Sequence, residues 1–93
     1  MELGDVQRVI EDAYGAKDRE RGVPSTIAWL AEELGELAQA VRKGTRDQQV
    51  HELGDVLAWL ASLANQIDIS LEEAFARYAD GCPSCAASPC TCL

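Results

Sequence analysis

Apolar residues recur along this chain every three to four positions, and no stretch alternates with the period of two that marks a strand. Val6, Val9, Ile10 and Ala13 predict an amphipathic helix over roughly Leu3 to Arg19. The charged run Lys17-Asp18-Arg19-Glu20-Arg21 ends at Gly22, and Pro24 makes Val23 a poor helical residue, so a second helix is expected from about Ser25 or Thr26. Its stripe is Ile27, Leu30, Leu34, Leu37 and Val41; Lys43 suits the negative end of the helix dipole and Gly44 stops it. Thr45-x-x-Gln48 has the form of a capping box opening a third helix, striped by Val50, Leu53, Leu57, Leu60, Ala64 and Ile67. Ser70-x-x-Glu73 opens a short fourth helix through about Tyr78 or Ala79, ended by Gly81. Cys82 to Leu93 carries no charged side chain and no helical pattern. The expected fold is all-α: a small helical bundle over residues 1–81 with a short Cys-rich tail over 82–93.

At 93 residues the chain supports one domain. A domain this small buries only about 60% of its unfolded surface, so a metal or a partner chain is expected to complete it. The formal charge of −8 argues against stable nucleic-acid binding, because nothing offsets phosphate repulsion. The longest apolar run, Val56 to Ala61, is too short for a bilayer, so no membrane partner is expected. The first residues show neither a basic n-region nor an apolar h-region, and the expected location is the cytoplasm.

Glu33-Leu34-Gly35-Glu36-Leu37 recurs nineteen residues later as Glu52-Leu53-Gly54-Asp55-Val56. Each copy lies inside an expected helix and sets two carboxylates at i and i+3, on one face. With Leu30 at zero on a helical wheel, Glu33 and Glu36 fall at about 300° and 240°, and Trp29 joins them at about 260°. With Leu53 at zero, Glu52, Asp55 and Trp59 fall at about 260°, 200° and 240°. Each helix therefore has an apolar stripe, the expected core, and a second face with two acids and one Trp. Neither Glu33 nor Glu36 has a cation at i+4, and solvated faces rarely carry Trp. Gly35 and Gly54 each cost about 1 kcal/mol in a helix interior, which suggests two backbones in close approach. If the helices pair, four carboxylates converge, which is unfavourable unless a cation neutralises them or some are protonated. Oxygen donors alone suit Mg²⁺, or Mn²⁺, better than Zn²⁺. A di-iron carboxylate bundle would need Glu-x-x-His pairs. The one histidine, His51, directly precedes Glu52 and falls off the acidic face of the wheel, so it is expected as a surface residue or local hydrogen bonder and not a ligand.

Glu32-Glu33-x-x-Glu36, fifteen residues, then Glu52-x-x-Asp55 resembles the EExxE…ExxD signature of the MazG-type all-α nucleotide pyrophosphohydrolases. The likeness spans roughly Thr26 to Glu73 and is strengthened by Trp29, Ala64-Asn65 and Ile67-Asp68-Ile69. The resemblance implies a bundle completed by dimerisation, as a homodimer or a dimer of dimers. It also implies Mg²⁺-dependent hydrolysis of nucleoside triphosphates to the monophosphate and diphosphate. By motif position, Glu33, Glu36, Glu52 and Asp55 would hold the metal and Glu32 would activate water. Phosphate contacts must come from few cations: Lys17, Arg19, Arg21, Arg42, Lys43 and Arg77. Among them Lys17 and Arg21 match a small single-domain subgroup. Trp29 and Trp59 are candidates to stack on a base or wall the substrate pocket, with helix–helix or dimer packing as the equal alternative, and Asn65 falls off the acidic face of its helix. Two alternatives remain: phosphoribosyl-ATP pyrophosphohydrolase, in the same superfamily, and a non-catalytic helical interaction module stabilised by metal.

Cys82-x-x-Cys85, four residues, then Cys90-x-Cys92 resembles a compact zinc knot. The rival is redox chemistry at Cys82 and Cys85, but no thioredoxin-like βαβ pattern surrounds them. The expected role of Cys82, Cys85, Cys90 and Cys92 is a structural Zn²⁺ site. This ending departs from relatives that finish on charged residues.

Overall fold

The computed structural model describes residues 1–93 and contains helices and no strands. Helix α1 spans Leu3–Arg21, α2 Val23–Lys43, α3 Arg46–Gln66 and α4 Leu71–Phe75, the last continued by a 3₁₀ turn at Ala76–Tyr78. Helix α3 is the centre of the arrangement. Both α2 and α1 pack chiefly against it, and α1 and α2 barely touch each other. The molecule measures 42 × 36 × 26 Å.

The helix ends follow local chemistry. Thr45 Oγ1 accepts from the Gln48 N–H at 3.2 Å, and Gln48 Oε1 accepts from the Thr45 N–H at 2.8 Å, so the capping box forms in full. Ser70 Oγ accepts from the Glu73 N–H at 3.3 Å to open α4. The break between α1 and α2 is tighter than the sequence predicts. It is the single residue Gly22, at φ 89°, and Val23 is helical. Pro24 lies in the first turn of α2, where its missing N–H would have had no helical partner. At the other end of the bundle, Gln7 of α1 ties down the α3–α4 connection. Its side chain donates to Asn65 Oδ1 at 3.0 Å and to the Ile69 carbonyl at 2.9 Å, and accepts from the Leu71 N–H at 2.8 Å. Asn65 Nδ2 returns a bond to the Gln7 carbonyl at 3.0 Å, so Asn65 is engaged in holding α1 to α3.

Only part of the expected core is covered in the single chain: Ala64 is buried and Leu30 and Leu37 are half-buried. Ile27, Leu34 and Val41 of α2 and Val50, Leu53, Leu57 and Leu60 of α3 are all exposed, from 38% at Leu57 to 63% at Val41. The buried apolar side chains are Ala40, Ala61 and Ala64. On α2 the inward line is Thr26, Glu33 and Ala40, seven residues apart. Thr26 and Ala40 are buried, and one oxygen of Glu33 is inaccessible. Thr26 Oγ1 accepts from Gln66 Nε2 at 2.8 Å, and the Ala40 carbonyl accepts from Gln49 Nε2 at 3.2 Å, so α2 and α3 run antiparallel along this line. Small residues let the helices approach where large stripe residues would hold them apart. The α2–α3 contact therefore includes the acidic face, with Leu30 and Leu37 half-buried beside it and the rest of the α2 stripe left outside. The close backbone approach expected at Gly35 and Gly54 is absent within the chain: a Cβ at either glycine would meet nothing within 4 Å.

Candidate metal centre and adjoining cleft

Antiparallel pairing of α2 and α3 brings the two copies of the acidic motif together. Ligand-type oxygens of Glu33, Glu36 and Glu52 lie within 4.8 Å of one another. Asp55 joins through Glu52, in a second group of the same span that also contains His51. Glu33 Oε2 and Glu52 Oε2 are inaccessible and have no hydrogen-bond partner. Burial pushes the Glu33 carboxyl above the usual carboxylate range, and the charges of Glu36, Asp55 and Glu52 push it the same way. Such orphaned, crowded oxygens are costly without a cation or a proton. The residues fit a hard divalent ion: the donor set is oxygen-rich and two donors lack any other partner.

His51 is exposed, and its Nε2 lies 3.2 Å from Asp55 Oδ2 one helical turn on, the local partnership expected of it, at the border of the acid cluster. Glu32 is exposed and stands outside the three-acid group.

The aromatic residues of the acidic faces meet. Trp29 and Trp59 stack with ring centroids 6.0 Å apart and planes 10° from parallel. The Arg21 guanidinium lies over Trp59, 4.7 Å from the ring centroid. Its Nη1 also lies 3.0 Å from Asp18 Oδ1 and donates to Thr26 Oγ1 at 3.4 Å. Asp18 is buried, and the sequence reading gave it no role, since its partner is recognisable only when α1 is seen as continuous to Arg21. Arg21, Asp18, Tyr14, Trp59 and Ser62 line a cleft of about 250 Å³ between α1 and α3, and Asp55 forms part of its wall. A second, wider cleft of about 550 Å³ opens at the α2–α3 turn, lined by Glu36, Glu52, Lys43, Gln39 and Gln48. The acids thus sit between two openings, one with an aromatic wall and Arg21, the other with Lys43. Lys17 is exposed and lines neither. Arg19 is held by Glu11 at 2.6 Å, and Arg77 stacks over Tyr78 at 5.2 Å.

A model of the MazG nucleotide pyrophosphohydrolase domain matches residues 21–82, which include all four clustered acids and both tryptophans. The chain belongs to the MazG family. Two proteins of Bacillus subtilis (strain 168) resemble this MazG chain. YpjD is 49% identical over 61 residues, 55% of either chain. YvdC is 31% identical over 90 residues, covering 78% of this chain and 85% of its own length. Both carry the name "Uncharacterized protein". The matched part spans just over half the length of YpjD. No helix is long and apolar enough to cross a membrane.

In the tail, none of the four cysteines is in a disulfide, and their sulfurs lie within 4.8 Å of one another. The Thr91 side chain and backbone N–H draw the Cys85 thiol down to about 5, while the neighbouring thiols, Cys90 first, push Cys92 up to about 11.

Proposed function

We propose that this MazG-family chain is a divalent-cation-dependent nucleoside triphosphate pyrophosphohydrolase, converting a (d)NTP and water to a (d)NMP and diphosphate. The observation that carries the reading is the cluster of Glu33, Glu36, Glu52 and Asp55, with two inaccessible, unpartnered oxygens, beside a cleft walled by Trp59 and Arg21. In this reading the four acids hold Mg²⁺, with Mn²⁺ as a substitute. When bound there, the ion would supply positive charge to offset that of the phosphates and would make water easier to deprotonate.

The chain's own groups do the rest. Without a cation the acids would repel a triphosphate, so they would favour its binding only when neutralised. Arg21, anchored by Asp18 and Trp59, offers its remaining donors to a phosphate. Lys17, exposed on α1 and outside both clefts, gives a second positive charge. Trp29 and Trp59 form an aromatic wall against which a base can stack. Glu32, exposed on α2 and next in sequence to Glu33, takes the proton of the attacking water as general base. The exposed stripe of Ile27, Leu34, Val41, Val50 and Leu53 supports a homodimer or a dimer of dimers, because a second copy would cover it.

The test is diphosphate release from a panel of canonical and modified (d)NTPs with Mg²⁺, with Glu52→Ala as control. Release that disappears in the variant supports the assignment. Failure of every (d)NTP, with phosphoribosyl-ATP cleaved, would move the substrate to that nucleotide. Failure of all of them, with Mg²⁺ still stabilising the fold, would leave a non-catalytic module.

A further inference from the structure

The last eighteen residues contain no buried side chain, so no apolar core orders the tail. It is nevertheless compact. Gly81 turns the chain at φ 109°, where a Cβ would meet the Ala87 carbonyl oxygen at 2.8 Å. The Cys82 N–H donates to the Ala87 carbonyl at 3.0 Å, and the Ala86 N–H donates to the Cys82 carbonyl at 2.6 Å, closing the Cys82-x-x-Cys85 loop. The returning segment brings Cys90 and Cys92 back onto it. Cys82 Sγ lies 3.7 Å from Cys92 Sγ, and Cys85 Sγ lies 3.9 Å from Cys90 Sγ.

These spacings discriminate between two chemistries. A disulfide holds its sulfurs at about 2.05 Å. A tetrahedron of thiolates around Zn²⁺, with Zn–S near 2.3 Å, has edges of about 3.8 Å. Both sulfur pairs match the tetrahedral edge. Backbone N–H groups also point at sulfur: Thr91 N donates to Cys85 Sγ at 3.4 Å and Cys92 N to Cys90 Sγ at 3.3 Å. Sulfur accepts such bonds well as thiolate, the form a metal requires. Soft thiolate ligands select against the hard ion suited to the acid cluster, so the two sites have separate metal preferences.

We propose that Cys82, Cys85, Cys90 and Cys92 bind a single Zn²⁺ as a closed tetrahedral structural site that orders the tail independently of the carboxylate centre. Four thiols lose their protons to solvent, four Zn–S bonds form, and nothing is oxidised or reduced. All ligand positions belong to protein, which leaves no open position for catalysis. The family match ends at residue 82, so three of the four ligands lie beyond it.

The test uses the full chain purified under reducing conditions without chelator. Elemental analysis is expected to find one Zn²⁺ per chain, retained in Glu52→Ala and lost in Cys85→Ser and Cys92→Ser. Co²⁺ exchanged into the wild-type protein is expected to show the visible absorption of tetrahedral tetrathiolate cobalt, a readout that does not depend on how the variants fold. Reduced protein that takes up neither Zn²⁺ nor Co²⁺ would overturn the proposal. So would iron in place of zinc, or an intact mass lower by the hydrogens of two disulfides.

Discussion

Glu33 occupies the middle of a buried line on α2, between Thr26 and Ala40, and faces the charge of Asp55 across the contact with α3. A carboxylate at a core position is a cost to the metal-free fold, and that cost has a measurable pH dependence. Because the folded state raises the Glu33 pKa, stability associated with its proton is fully present below the ordinary carboxyl range and is lost as pH rises through the raised value. In EDTA, Glu33→Gln is therefore expected to be more stable than wild type at neutral pH, with the two converging in acid. Urea unfolding across pH checks this. A difference that grows toward low pH would have the wrong sign.

Adding Mg²⁺ is expected to reverse that order. Wild type gains about 2.7 kcal/mol at a hundredfold excess of ligand over Kd, while Glu33→Gln and Glu52→Ala gain far less. Melting temperature against Mg²⁺ concentration reads the effect.

Glu32 and Glu52 are expected to fail differently. Glu52→Ala loses both turnover and stabilisation by Mg²⁺. Glu32→Gln keeps the stabilisation and loses about 10²–10⁴-fold in kcat, the usual worth of a general base. Equal loss of metal response in both variants would make Glu32 a ligand.

Arg21 is bound to the buried Asp18 and stacked on Trp59. Arg21→Ala strands the Asp18 carboxylate. With Asp18 almost fully enclosed but Arg21 a quarter exposed, a loss of about 2–3 kcal/mol is expected, at or below the lower end for a fully buried pair. Arg21→Ala/Asp18→Asn should recover part of that stability while leaving KM raised. Recovery of KM as well would remove Arg21 from substrate binding.

Leu53 lies on the exposed stripe, away from the acids. Leu53→Glu is expected to give a smaller species by sedimentation with helical content retained. An unchanged sedimentation coefficient would place the association surface elsewhere.

Much of this molecule is set by residues near one another in the chain. The helices follow from the 3.6-residue pattern, the start of α3 from Thr45 and Gln48, and the sharing of one face by Glu33, Glu36 and Trp29 from their spacing alone. The four cysteines likewise stand out as one local group by type and spacing, though the meeting of Cys82 with Cys92 depends on the fold of the loop between them. Which face of α2 meets α3 is another matter. A wheel displays an apolar stripe and an acidic face, and burial of the larger apolar area is the ordinary expectation. Tertiary packing decides otherwise, because Thr26 and Ala40 permit a close approach and most of the apolar stripe is left uncovered in the single chain. The pairings of Gln7 with Asn65, fifty-eight positions apart, and of Trp29 with Trp59 exist only once that packing is in place. Local spacing thus determines what each helix presents, and the non-local contacts determine what those faces meet.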